Sequence, residues 1–277
     1  MTTNSNLILD FNNFTDELLK EKIFEIRTKE DSQTIHALWK EISEIYHSKE
    51  EGEFLLSILK GNENRHILDP SFGSGFPLKL FKKNNFKNLY ASDIPSNNLL
   101  QNICEINDIK YFQSTFKHLV NNTIRKNYDI ILVLGASLSY CQSWNLTKNL
   151  PSLEIQEIYD SLNGLKSVLD ENGVLYIGNA KTYHSGNAED NLPFYDNNQN
   201  LRMRWILTYD WEARKKNWKC IYYNELLTKE FNIELESHLF TNQMLIEYCK
   251  KYFEEVQLIE SPENCPEDLI KCSKPIK

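Results

Sequence analysis

Apolar positions along the chain fall into three regimes. In residues 1–60 they recur at helical spacing. Phe14, Leu18, Leu19, Ile23 and Ile26 form one set, Ile35, Leu38, Trp39, Ile42, Ile45 and Tyr46 a second, and Phe54, Leu55, Ile58 and Leu59 a third that stops at Gly61. From 66 to 178 the pattern changes to short strand-like runs at 66–69, 89–92, 110–113, 128–134 and 174–178, most of them apolar. Runs such as Tyr128-Asp-Ile-Ile-Leu-Val-Leu134 suit strands buried on both faces. Helical patterns at 77–83 and 153–169 lie between them, and Asp170-Glu171-Asn172-Gly173 reads as a turn.

After residue 181 the alternation breaks. Residues 181–198 are rich in Asn, Asp and Tyr and have little periodicity, which predicts a long polar segment closing over a site as a lid. The stretches 201–211, 218–223 and 231–235 carry aromatic and β-branched residues in strand-like order, predicting a small inserted antiparallel sheet. Thr241 is placed to cap a helix through Tyr252, and 256–259 and 269–272 read as closing strands. The pattern therefore predicts a doubly wound α/β fold in four parts: an N-terminal helical cap at 1–60, a nucleotide-binding core at 61–181, an insert at 182–240, and a C-terminal helix with closing strands at 241–277.

Candidate chemistry concentrates at 66–93, read as strand, glycine turn, helix, strand, acid. A dinucleotide site needs a third glycine so that backbone amides can approach a pyrophosphate, and Lys79 stands there instead. Asp69 precedes the turn, and a carboxylate there repels a pyrophosphate but attracts a cation. S-adenosylmethionine, with a sulfonium, an ammonium and no phosphate, fits that sign. Asp93 is placed to accept from ribose hydroxyls. The plainer alternative leaves Gly73 and Gly75 serving a tight turn and Asp69 capping it. Further along, Ser114, Thr115 and Phe116 follow the third strand, where Phe116 can stack on an adenine with Ser114 or Thr115 near its ring nitrogens. The small residues after Leu134 leave its carbonyl available to a ligand ammonium. His47 and Lys49 lie in a polar break from which a basic group can reach a ligand carboxylate.

Composition narrows the picture. Of 277 residues 41% are hydrophobic, enough for one large domain or a domain with an insert, and the net charge is −8. Long basic runs are absent, which argues against a nucleic-acid partner. There is no apolar stretch of membrane-spanning length and no signal-peptide pattern at the start, so a cytoplasmic location is expected. The six cysteines form no C-x-x-C pair and no His cluster has ligand spacing, so free thiols and no metal are expected.

Taken together, residues 66–93, 113–116 and 128–140 resemble the class I, seven-stranded S-adenosylmethionine-dependent methyltransferases, and more particularly glycine N-methyltransferase and related small-molecule N-methyltransferases. ILDPSFGSG resembles the family's first-strand glycine turn, and YASD its second-strand acid. YDIILVLGASLSY resembles its fourth-strand segment, with Ala136 where Asn is common, and GVLYIGNAKTYH its fifth-strand segment. The resemblance implies a seven-stranded Rossmann-like sheet, S-adenosylmethionine as cofactor with S-adenosylhomocysteine as product, and a small polar, amino-acid-like acceptor methylated on nitrogen. It implies Asp69, Gly73 and Gly75 at the methionine end, Asp93 at the ribose, Phe116 at the adenine and the Leu134 carbonyl at the ammonium. His47 and Lys181 stand at positions where the family has arginines, on the cofactor and acceptor carboxylates. Tyr140, Tyr183 and Tyr195 are candidates to position the amine. Three alternatives stand beside this reading. A nucleic-acid base methyltransferase would usually carry N/D-P-P-Y where this chain has GASL, an NAD-dependent oxidoreductase is disfavoured by Asp69 and the missing glycine, and a non-catalytic cofactor-binding subunit would bind but not turn over.

Overall fold

The computed structural model describes residues 49–94, 101, 104–142, 154–181, 186–195, 201–222 and 231–276. The first two helical patterns of the N-terminal cap, His47 and Tyr183 lie outside the described residues.

The third N-terminal pattern forms α1 (Lys49–Leu59), which buries Leu55 and Leu59 and ends before Gly61 at φ 85°. The chain then alternates strand and helix: β1 (His66–Asp69), α2 (Leu78–Lys83), β2 (Asn88–Asp93), β3 (Lys110–Gln113), a 3-10 turn (Phe116–His118), α3 (Leu119–Asn122), β4 (Tyr128–Val133), α4 (Ile155–Ser167) and β5 (Leu169–Ala180). After the insert come α5 (Asn242–Cys249), β10 (Phe253–Ile259) and β11 (Glu267–Pro275). Thr241 caps α5 through its side chain, accepting from the Met244 amide at 3.1 Å.

The seven-stranded sheet has the order β10-β11-β5-β4-β1-β2-β3. β3, β2, β1, β4 and β5 are parallel, and β11 runs antiparallel to both its neighbours. The unbroken apolar runs arise because alternate residues serve two cores. Ile67, Ile130, Leu132 and Tyr176 pack with α1 and α2 on one face, whereas Leu68, Ile131, Val133, Leu175 and Ile177 pack with α4 and α5 on the other. The turn read at 170–173 lies inside β5, as an irregularity between the pairs Tyr128 with Leu169 and Ile130 with Val174. There Asn172 N donates to Asp170 Oδ1 at 3.0 Å.

The insert is a four-stranded antiparallel sheet in sequential order: β6 (Ala188–Tyr195), β7 (Leu201–Asp210), β8 (Lys215–Tyr222) and β9 (Phe231–His238). Within 181–198, expected as a polar segment of little periodicity, residues 188–195 are instead an edge strand paired with β7, with a register shift between Phe194 and Tyr195. The pattern Ala-Glu-Asp-Asn-Leu-Pro-Phe-Tyr hides it: an edge strand can leave Leu192 and Tyr195 exposed and accommodate Pro193. The buried face of the insert carries Trp205, Tyr209, Lys216, Trp218, Cys220, Leu235 and Ser237, with Trp205 and Trp218 edge to face at 5.5 Å. None of the described helices is long and apolar enough to cross a membrane. The six cysteines form no disulfide.

Candidate functional site

The carboxyl ends of β1, β2 and β4 meet at one edge of the sheet, where a doubly wound fold places its ligand. Asp69 ends β1 and is buried. Its Oδ1 accepts from Ser71 N at 2.9 Å and from Ser71 Oγ at 3.3 Å, closing the turn that the small residues allow. Burial pushes its pKa up to about 8. The Ser71 amide opposes this, and the nearby Asp93 carboxylate adds to it. Gly73 and Gly75 hold φ of 48° and 91°, the left-handed region that an L side chain strains to reach. Asp93 is fixed at both oxygens, by Gly73 N on Oδ2 at 2.8 Å and by Ile94 N on Oδ1 at 2.7 Å. The two glycines thus shape the turn and bring one amide onto the acid that ends β2.

Beyond β3, Ser114 N donates to Asp93 O at 3.1 Å, and the buried Ser114 Oγ donates to Thr115 O at 2.9 Å. Thr115 Oγ1 pairs with His118 Nδ1 at 2.8 Å. Phe116 is partly buried against the core. It is held close to α4 because Gly164 has no side chain: a Cβ there would lie 2.0 Å from the Phe116 carbonyl oxygen.

At the end of β4 the chain turns sharply through Gly135 (φ 68°) and Ala136 (φ 50°). Successive amides in such a turn make a concave anion site. Here a carboxyl group from the far end of the chain fills it: Glu267, the first residue of β11, accepts from Gly135 N at 3.0 Å, and the Ala136 amide also favours its charged form. Gly178 in β5 makes the room, since a Cβ on it would fall 1.9 Å from Glu267 Oε2. Burial raises the Glu267 pKa to about 8. Glu51 of α1 adds to this, whereas the two amides and Lys216 pull it down. The insert closes on the same turn: His238 N donates to Ser139 O at 3.0 Å, and His238 Nε2 lies 3.1 Å from Gln142 Oε1. Burial lowers the His238 pKa to about 4, so this ring is neutral at neutral pH. The Lys216 ammonium stands over the Tyr140 ring, 5.1 Å from its centre.

Neither a protein-family model nor a curated protein sequence matches this chain. Solved structures do. DesVI of Streptomyces venezuelae matches with a TM-score of 0.63 at 12% identity, over 86% of this chain and 98% of DesVI. A S-adenosylmethionine-dependent methyltransferase from Clostridium acetobutylicum matches with a TM-score of 0.56 at 17% identity, over 82% of this chain and 92% of its own. The sugar N-methyltransferase KedS8 from Streptoalloteichus matches with a TM-score of 0.55 at 12% identity, over 82% and 87%. The fold is that of the class I methyltransferases.

Within this methyltransferase fold the structure brings Asp69, Gly73, Gly75, Asp93, Ser114, Thr115 and Phe116 to the ends of β1, β2 and β3, and Tyr140 to the turn after β4. Three expected contributors are placed differently. The Leu134 carbonyl accepts from both Ser137 N and Ser137 Oγ, so it is turned into its own loop rather than offered to a ligand. Lys181 Nζ donates to Pro262 O at 2.7 Å and Ser261 O at 3.2 Å, and lies 3.8 Å from Asp268. It is a strut between the end of β5 and the β10–β11 connection. Tyr195 is exposed at the end of β6, seven residues from Ala188, in the row that contains Lys216. That is about 23 Å along an extended strand, away from Tyr140.

Glu267, Lys216 and Glu51 were not among the sequence candidates. Lys216 had a signal, because it shares the period-2 face of Trp218 and Cys220 and is therefore a charge on a buried surface. Glu267 meets Gly135 from 132 residues away, and nothing local in either segment announces the contact.

Proposed function

We propose that the chain is a S-adenosylmethionine-dependent methyltransferase acting on a nitrogen of a small polar metabolite. The observation that carries this reading is the Asp93 carboxylate at the end of β2, oriented by the amide of a left-handed glycine in the turn after β1, within a class I sheet. The Gly73 and Ile94 amides orient this acceptor-only group. Vicinal ribose hydroxyls suit that acceptor. Asp69, Gly73 and Gly75 would line the methionine end, and Ser114, Thr115 and the partly buried Phe116 the adenine. The likeness to the sugar N-methyltransferase KedS8 supports nitrogen as the acceptor atom.

When bound, S-adenosylmethionine supplies a methyl group on a cationic sulfonium. The protein's own part is positioning. A neutral amine needs no strong base, and holding it in line is worth up to ~7–11 kcal/mol in ideal cases. Asp69 holds its proton near neutral pH in its buried setting, and a cation beside it would favour release of that proton. Tyr140 lies at the turn between core and insert, where an acceptor would contact its ring or hydroxyl. Incubating the protein with a metabolite extract and an isotopically labelled methyl donor, read by mass spectrometry, tests the reading. The expected result is a labelled, N-methylated small molecule. Label found only on oxygen or carbon would overturn the nitrogen assignment.

A further inference from the structure

Lys216 is 7% exposed, yet its ammonium makes no hydrogen bond and has no carboxylate within ion-pair distance among the described residues. Among the described residues its ammonium stands over the face of Tyr140, at 5.1 Å. Burying an ammonium without acceptors is costly, and a cation–π contact offsets only part of that cost. The groups around it do not supply the missing charge. The buried Glu267 feels the Lys216 charge, but its carboxyl is held by the Gly135 amide. Burial together with Glu51 keeps it protonated at neutral pH. Tyr209, directly across the strand pair, donates its hydroxyl to Asp190 at 3.0 Å, and Ser237 on the other side donates to the Lys216 carbonyl. The insert therefore carries an unsatisfied cation to the turn that ends β4, the side of the sheet edge opposite Asp93.

We propose that Lys216 binds a carboxylate of the methyl acceptor between the insert and the Gly135–Tyr140 turn. The assignment of this anion to the acceptor rests on the methyltransferase reading, whereas the anion site itself rests on Lys216. It gives the acceptor a class: a small amine that also bears a carboxylate. It also moves the anion-reading role from Lys181, whose ammonium is occupied, to a lysine on the insert.

The test is thermal denaturation with matched probe pairs at constant ionic strength, with and without S-adenosylhomocysteine. The probes are acetate against acetamide, benzoate against benzamide, glycine against glycinamide, and inorganic phosphate. Carboxylates should raise the melting temperature of the native protein by about 2 °C or more at a saturating dose, and the amides should not. Lys216→Met should lose this response while melting no lower than the native protein, since it removes an unpaired buried charge at nearly constant volume. Lys216→Arg should keep part of it. Carboxylates acting no better than chloride or the amides, phosphate acting alone, or Lys216→Met responding like the native protein would each overturn the site. A Lys216→Met variant that melts several degrees lower would make Lys216 a structural counter-ion to Glu51 and Glu267 instead. Calorimetry with S-adenosylhomocysteine on the same proteins separates the two readings. Unaltered cofactor binding with no anion response removes only the carboxylate site. An anion response without cofactor binding removes the methyltransferase reading and leaves the site.

Discussion

The two sheets of this molecule build their ends of the site in different ways. In the seven-stranded sheet the central strands β1, β2 and β4 are buried on both faces, and the polar groups that matter stand where these strands stop: Asp69 at the end of β1, Asp93 at the end of β2, Gly135 after β4. Their positions follow from backbone geometry, and the donors that orient them are mostly amides. In the four-stranded insert one face is buried, and Lys216 projects from that face beside the β7–β8 hairpin, its ammonium over the Tyr140 ring. The core therefore offers a general cradle, whereas the insert can exchange a single side chain without disturbing its ladder. Recognition of a cofactor suits the first construction and choice of an acceptor the second.

The largest expected effect is that of pH. An unfolded carboxyl loses its proton near 4, whereas folded Asp69 and Glu267 hold theirs to about 8. Between those values the folded state binds more protons than the unfolded one, so stability falls as pH rises from about 4 to about 8 and levels off above that. Asp69→Asn and Glu267→Gln should each flatten part of the curve in pH-dependent thermal melts. The two should behave independently if the core and acceptor ends are separate. Next comes Gly164→Ala. A methyl group 2.0 Å from the Phe116 carbonyl must push α4 off the 3-10 turn, an overpacking expected to cost about 3 kcal/mol in a denaturant titration and to weaken cofactor binding.

A smaller and more selective effect is expected from Asp93→Ala. Losing ribose hydrogen bonds to a charged acceptor, at roughly 1.5–3 kcal/mol each, should raise the S-adenosylhomocysteine dissociation constant at least tenfold by calorimetry. Lys216→Met should leave that constant within about twofold. Equal losses in the two variants would erase the distinction between cradle and acceptor side. The smallest effect belongs to Lys181→Ala. Freeing two carbonyls from a partly solvated ammonium should cost about 1 kcal/mol of stability and leave acceptor kinetics unchanged.

The same contrast explains what could be read from the residue pattern. β1 and β4 lie where the apolar runs at 66–69 and 128–134 stand, because a strand buried on both faces is nearly continuously apolar. Asp93 was legible because it ends such a run. β6 was not: its pairing with β7 is what makes Ala188–Tyr195 a strand, and an edge strand needs little hydrophobic pattern of its own. Lys181 was placed correctly at the end of β5, but its partners Ser261 and Pro262 lie 80 and 81 residues further on. Glu267 depended on a turn 132 residues earlier and on a glycine in β5 that leaves it room. Contacts that close only in three dimensions leave no period in the sequence.

The most direct measurement is titration calorimetry of the purified protein with S-adenosylhomocysteine and, in parallel, with NADH. One-to-one binding of S-adenosylhomocysteine, weakened at least tenfold by Asp93→Ala, together with no heat from NADH, is the expected result. Binding of NADH without binding of S-adenosylhomocysteine would contradict the assignment of the β1–β2 carboxylates to a methyl donor.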